Sequence, residues 1–402
     1  MSLVIDLFRK YIHIPSASDE STGQKPSTPQ QLDMARALEK DMREMGLSGV
    51  KHDGHGYVYG RVPANCEGQP AIGLIAHLDV VDNEPCQPMN ERILENYDGG
   101  VIDVGAGLKL DPAIYPHLLT WKGKDLILTD GTTILGADDK AGVAEIMALA
   151  HRLLNDPSIK HGDVCVCFTP DEEIGAGADD LDIPFLGADY AYTVDGGRLG
   201  GVEYENFNAA SARISFTGVS IHPGDAKGRM KNAALMAVEF ASLLPRHETP
   251  ATTSGHEGFY HLVHMEGTPE KASLAYILRD HDLAELERKK AYLAKCLELI
   301  QLRYGGDSCA LQIRDSYRNM APIVREHPEI LERARQAFEK CGVKPFSDPV
   351  RGGTDGARLS YRGLICPNLS TGSINHHGRG EIACVQDMET MVDVLTEIVR
   401  SC

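Results

Sequence analysis

Residues 71–79 read Ala-Ile-Gly-Leu-Ile-Ala-His-Leu-Asp, an apolar run that breaks into a histidine and an aspartate two positions apart. Such a run has the texture of a strand buried on both faces. The period of two along a strand sends His77 and Asp79 to the same side of the chain. Val164–Phe168 and Tyr190–Val194 share this texture, and between residues 79 and 164 apolar residues recur at helical spacing from Ala141 to Leu154. Strands interleaved with helices imply an α/β sheet. A helix is also expected over Leu32–Met45, ended by Gly46.

Past Asn208 the pattern changes. Ser211–Thr217 alternates like a half-exposed strand, Asn232–Leu244 reads as a helix, Ala272–Arg279 as a strand and Leu283–Tyr304 as a long charged helix, together a βαβ-type unit. After Ser316 the α/β texture returns, with a helix near Pro328–Cys341, a strand-like Leu364–Leu369 and a last helix Asp387–Val399. At 402 residues the chain exceeds the roughly 250–300 that one core serves, so two domains are expected. The first, discontinuous over 1–207 and 319–402, has a central mixed sheet flanked by helices. The second, 208–318, is an inserted α+β domain.

A formal charge of −18 would repel a phosphate backbone, which argues against nucleic acid as a partner. No apolar run approaches the roughly 18 residues that span a bilayer, since even 71–81 is broken by His77 and Asp79. The N-terminus lacks an apolar signal region, so the expected compartment is the cytoplasm, with no membrane partner. The ten cysteines are then read as reduced thiols, and no CxxC pair suggests a thiolate metal site.

Chemistry collects at the ends of the expected strands. A metal-ligating imidazole commonly donates its second ring nitrogen to a carboxylate, and Asp79 is placed to accept from His77; the plainer alternative is a solvated polar pair. Gly136-Ala-Asp-Asp-Lys-Ala-Gly142 sets two acids where a helix opens, after the strand-like Leu126–Leu135; a helix cap is the competing explanation. Thr169-Pro-Asp-Glu-Glu173 follows Val164–Phe168, so one glutamate can ligate while the other moves protons. Asp195 ends the third strand before two glycines, and Asn375-His-His-Gly378 supplies histidine near the C-terminus. Each cluster alone could be a solvated loop. Together, at the edge of an open α/β sheet where crevices form, they read as one metal site.

The ordered set His77-x-Asp79, Asp138-Asp139-Lys140, Glu172-Glu173, Asp195 and His377 resembles the co-catalytic zinc aminopeptidase and carboxypeptidase family that includes glutamate carboxypeptidase and succinyl-diaminopimelate desuccinylase. Within it, the aminotripeptidases are the nearest likeness, through Phe168-Thr-Pro-Asp-Glu-Glu173, Tyr192-Thr-Val-Asp-Gly-Gly197, Glu205-Asn-Phe-Asn-Ala-Ala210, Gly258-Phe-Tyr-His261, Ile277-Leu-Arg-Asp280 and Arg351-Gly-Gly-Thr-Asp-Gly356. One departure is His376, where these relatives usually carry an aromatic residue. His377, directly before Gly378, matches the pattern's metal histidine.

The resemblance implies a catalytic domain with an inserted lid or dimerisation-type domain, and a homodimer as one assembly. Asp138 would bridge two divalent ions, with His77 and Asp195 completing one and Glu173 and His377 the other. Zinc is the expected metal, with cobalt or manganese as alternatives; nitrogen and carboxylate ligands suit all three. Two such ions about 3.5–4 Å apart can hold both an attacking water and a carbonyl oxygen. Glu172 would be the general base. His222, in Ser220-Ile-His-Pro-Gly224, would stabilise the oxyanion, though a plain turn histidine explains the same residues. Arg279 would grip a substrate carboxylate through its bidentate fork, and Arg351 would face the substrate. The expected activity is removal of the N-terminal residue from tripeptides. A deacylase of N-acylated amino acids and a non-enzymatic metal-binding protein are the rivals; the presence of Glu172 counts against the latter.

Overall fold

The computed structural model describes residues 2–400 and contains two compact units. One comprises the described residues up to Tyr204, Pro322–Asp348 and those from Thr354 onward; the other comprises Glu205–Ala321 and Pro349–Gly353.

The first unit is built on a seven-stranded sheet in the order Ser48–His52, Val58–Val62, Val164–Thr169, Ile72–His77, Tyr190–Gly196, Asn368–Ser370, Val202–Glu203. The central pairings are parallel and the outer ones antiparallel, so the sheet is mixed, as expected. Ile72–His77 and Val164–Thr169 are buried at every position, which is why they read as unbroken apolar runs. Helix Ala137–Asn155 packs on Ile72–His77 and Tyr190–Gly196 and against helices Leu3–Ile12 and Val385–Val399. Gly142 sets how closely it sits: a Cβ there would lie 1.8 Å from the Val194 carbonyl oxygen, so only glycine lets the helix start meet the strand that carries Asp195.

Two expectations for this unit need correction. Leu126–Leu128 does not approach through the main sheet; it belongs to a separate four-stranded sheet ordered Ser373–Ile374, Ile382–Cys384, Leu126–Leu128, Arg92–Leu94. In the expected strand Leu364–Leu369, regular pairing begins only at Asn368, directly after Pro367, which has no N–H to donate to a ladder.

The second unit holds a four-stranded sheet ordered Phe259–Gly267, Lys271–Asp280, Asn208–Thr217, Cys309–Tyr317, with every neighbouring pair antiparallel. The expected βαβ-type pairing is thus replaced. Asn208–Thr217 and Lys271–Asp280 lie side by side in opposite directions, because Phe259–Gly267 intervenes in the chain. That strand and Cys309–Tyr317 are mostly exposed, and the first leaves Leu262, Val263 and Met265 facing solvent. Ala210, Ala212, Ile214 and Phe216, alternating along one strand, share a core with Leu274, Tyr276 and Leu278, with Met236 and Phe240 of helix Ala233–Ser242, and with Leu293 and Ile300 of helix Leu283–Tyr304. Each large side chain buried there contributes about 1.5–3 kcal/mol. Among the described residues no helix is long and apolar enough to cross a membrane.

Candidate metal centre

Five side chains from the first unit converge. His77 ends its strand buried, with Nε2 at 2.9 Å from Asp138 Oδ1 and 3.2 Å from Asp195 Oδ1. The other oxygen of Asp138 lies 2.9 Å from His377 Nε2, which is 3.1 Å from Glu173 Oε2. The donors form two overlapping triads able to hold a metal ion, His77–Asp138–Asp195 and Asp138–Glu173–His377, each with its ligand atoms within 4.8 Å of one another. Asp138 belongs to both and offers one oxygen to each.

Backbone geometry explains how adjacent acids part. Asp138 (φ −84°, ψ 103°) and Asp139 (φ −120°, ψ 31°) are not helical although they open helix Ala137–Asn155. Asp139 turns into the protein, where its carboxylate accepts N–H bonds from His77 and Gly142. It therefore caps the helix, while Asp138 faces the histidines. His77 presents Nε2 to the cluster because Nδ1 meets the main-chain oxygen of Asp79 at 3.1 Å. The Asp79 carboxylate, expected to be that acceptor, is 3.5 Å away. It accepts instead from the backbone N–H groups of Glu172 and Glu173 at 3.0 and 3.1 Å, so Asp79 ties the glutamate turn to the histidine strand.

Electrostatically the cluster lacks positive charge. Burial and the neighbouring carboxylate of Asp138 push Asp195 up to about 7, although His77 opposes them. Hydrogen bonds to Asp138 and Glu173 drive His377 up to about 11. Burial also raises Asp138, but His376, His377 and His77 outweigh it and hold that carboxyl well below the usual range. Glu172 is raised well above the ordinary glutamate value, by burial first and then by Asp195, Asp355 and Glu173. Glu173 Oε1 is buried without a hydrogen-bond partner, a costly state for a carboxylate. An orphaned oxygen and histidines pressed into service as counter-ions are what a donor set built for dications would leave when protons stand in for them.

His376 is the neighbour that could compete with His377. Its Nε2 bonds Ser373 Oγ at 2.8 Å, and its Nδ1 stays 3.4 Å from Asp138. Neither triad includes it.

The remaining expected residues lie in the second unit. His222 is exposed and its Nδ1 accepts from the Gly224 N–H at 3.2 Å, in the short turn Pro223–Asp225. Arg279, one residue before the end of its strand, is half-buried, donating from Nη1 to the Arg351 carbonyl at 3.0 Å and lying over the Tyr317 ring. The guanidinium of Arg351 donates to the carbonyls of Gly255 and Glu257 and to Thr253 Oγ1, and lies over the rings of Phe207 and Phe259.

A family model described as a peptidase dimerisation domain matches residues 204–305. Over 401 residues the chain is 45% identical to the peptidase T of Clostridium perfringens, covering 100% of this chain and 99% of that one. The chain belongs to the peptidase T family. It is a peptidase, as the resemblance in its motifs implied. Among solved structures, aminopeptidase PepT from Bacillus cereus superposes with a TM-score of 0.78 at 22% identity, covering 99% of this chain and 97% of that one. A tripeptidase from Staphylococcus aureus gives 0.77 at 20%, with the same coverage.

Two buried residues beside the centre escaped the sequence reading of this peptidase T family member. Asn368 Oδ1 accepts from the N–H of Asp195 at 3.2 Å and from Thr193 Oγ1 at 2.9 Å, while its Nδ2 donates to Glu203 at 2.8 Å. Glu381 accepts the backbone N–H groups of Gly136 and Asp138 at 2.7 and 2.9 Å. Neither belongs to a cluster of like residues in sequence. The one available signal was the offset of Glu381, four residues beyond His377.

Proposed function

We propose that this protein is a di-metal aminopeptidase that removes the N-terminal residue from tripeptides, with zinc, cobalt or manganese as its ions. The observation that carries this reading is the Asp138 carboxylate, one oxygen 2.9 Å from Nε2 of His77 and the other 2.9 Å from Nε2 of His377. His77, Asp138 and Asp195 would hold one ion, and Asp138, Glu173 and His377 the other. Bound there, the ions supply Lewis acidity for a carbonyl oxygen and lower the pKa of water. Glu172 takes the proton from the attacking water and delivers it to the leaving amine, a role open to it because it belongs to neither donor triad. Asp79 positions both His77 and the glutamate turn. Arg279 grips the substrate carboxylate, and Arg351 supports it through its main-chain oxygen rather than facing the substrate, since three donors of its own guanidinium are committed within its unit. His222 stabilises the oxyanion, and the segment matched by the dimerisation model supports a homodimer. The reading takes the cytoplasm as its setting.

The test is a mixed pool of di-, tri- and tetrapeptides with N-acetyl and N-succinyl amino acids, digested with and without chelator and read by mass spectrometry. Tripeptides should lose one N-terminal residue, and chelation should abolish this until zinc, cobalt or manganese is returned. Full activity in demonstrably metal-free protein would end the metal assignment, and preferred cleavage of the acylated compounds would move the protein among deacylases.

A further inference from the structure

We infer that Glu381 is a positioning residue for the whole di-metal centre, clamping the turn that presents Asp138. This rests on the di-metal reading above and goes beyond it. Glu381 is 1% exposed, and its two oxygens are divided between two donors: Oε2 takes the N–H of Gly136 at 2.7 Å and Oε1 that of Asp138 at 2.9 Å. Those donors flank the point where the chain enters helix Ala137–Asn155. Gly136 has φ 72° and, as a glycine, brings no side chain to cap the helix start, while within the helix the Asp139 carboxylate reaches only the N–H of Gly142 further in. Backbone N–H groups at a helix start lack intrahelical partners. A carboxylate accepting one N–H on each oxygen satisfies two of them and fixes the plane of the turn.

The same residue reaches the second triad through the chain. Glu381 stands four positions after His377, and its own N–H bonds the Gly378 carbonyl at 3.1 Å. A single loop therefore supplies His377 and the clamp on Asp138, so that the bridging carboxylate and one of its histidines are set by the same segment. Asn368 differs in reach: it holds the backbone of Asp195, which belongs to one triad only. The two supports predict different losses. Removing the Glu381 clamp displaces the one ligand common to both ions, whereas removing Asn368 loosens one ion alone.

Glutamine is the sharpest substitution at Glu381, since it keeps the shape but replaces one accepting oxygen with an NH2 that faces an N–H. Wild type, Glu381→Gln and Asn368→Ala are prepared metal-free, their folding is checked by circular dichroism, and zinc is titrated against a chromophoric chelator. Wild type should take two ions. Glu381→Gln should lose affinity for both by about 10–100-fold, the usual range for groups that support metal ligands, while Asn368→Ala should weaken one. Wild-type affinity for either ion in Glu381→Gln overturns the clamp while leaving the di-metal reading intact. Fewer than two ions in wild type would instead refute the reading on which it rests. If Glu381→Gln does not fold, Glu381→Asp carries the same test, because it draws the carboxylate back one methylene from both donors; unchanged affinity for both ions there also overturns the proposal.

Discussion

Exchanging Glu172 for glutamine separates chemistry from metal binding. The residue enters neither triad, and the bond that anchors its turn runs from its backbone N–H to Asp79, so Glu172→Gln removes the proton carrier and leaves the donors in place. A positioned acid–base group is worth about 10²–10⁴ in rate, or about 2.7–5.5 kcal/mol on the barrier. The companion Glu173→Gln removes a carboxylate oxygen 3.1 Å from His377 Nε2 and should lose metal. The metal-free protein gives a second reading. Because the folded pKa of Glu172 is raised, its ionisation costs stability as pH climbs above the ordinary glutamate value. Metal-free Glu172→Gln should therefore match wild type in stability below about pH 4.5 and exceed it at pH 7. The assays are kcat on a free tripeptide, metal content by plasma mass spectrometry, and chemical denaturation at the two pH values. Two bound ions with kcat within tenfold of wild type would refute the general-base role. Metal loss in Glu172→Gln with retention in Glu173→Gln would exchange the two assignments.

Arg279→Ala should lower kcat/KM for free tripeptides by roughly tenfold to a hundredfold, the worth of one charge-assisted hydrogen bond, and should erase any preference for a free over an amidated C-terminus; a preference that survives assigns the carboxylate to another group. Glu203 is pushed up to about 7 by burial, which the Asn368 amide only partly opposes. Its contribution to stability is therefore complete below about pH 4.5 and is lost as pH rises through 7, so Glu203→Gln should gain on wild type by up to about 3 kcal/mol between pH 5 and 8; a pH-independent difference in denaturant unfolding contradicts the assignment. Glu172→Ala and His222→Ala should each be nearly inactive, yet regain substantial activity when co-refolded if His222 serves the partner's centre in a dimer. A mixed dimer as inactive as its parents would confine His222 to its own subunit or remove it from the reaction, and a fully active His222→Ala would show the latter.

The legible part of this protein was whatever periodicity or local clustering expresses. Helix Leu283–Tyr304 has the bounds read from its pattern, and Ile72–His77, Val164–Thr169 and Tyr190–Gly196 were visible because burial on both faces forces unbroken apolar runs. Phe259–Gly267 and Cys309–Tyr317 were not read as strands: their apolar residues, among them Leu262, Val263 and Met265, are interrupted by histidines and charged residues, and the backbone ladder that holds an edge strand does not depend on side-chain polarity. The donors His77, Asp138, Glu173, Asp195 and His377 could be picked out as motifs. Their grouping into two triads about one shared carboxylate was implied by family resemblance, and it is the folded chain that brings the atoms within reach.

Sequence alone thus determined the α/β character of the larger unit and the family, and it marked the motifs that contain the candidate donors, all of which depend on residue type at short spacing. Tertiary structure decided which of two adjacent acids faces the centre, which of two adjacent histidines completes a triad, and that Asp79 serves the glutamate turn. It also decided that Leu126–Leu128 lies in another sheet and that Glu381 grips the Asp138 turn. Each of these turns on backbone direction or on a hydrogen bond spanning tens to hundreds of residues, such as the 243 between Asp138 and Glu381. No local pattern encodes such a bond, because its partner is chosen by the packing of the whole unit.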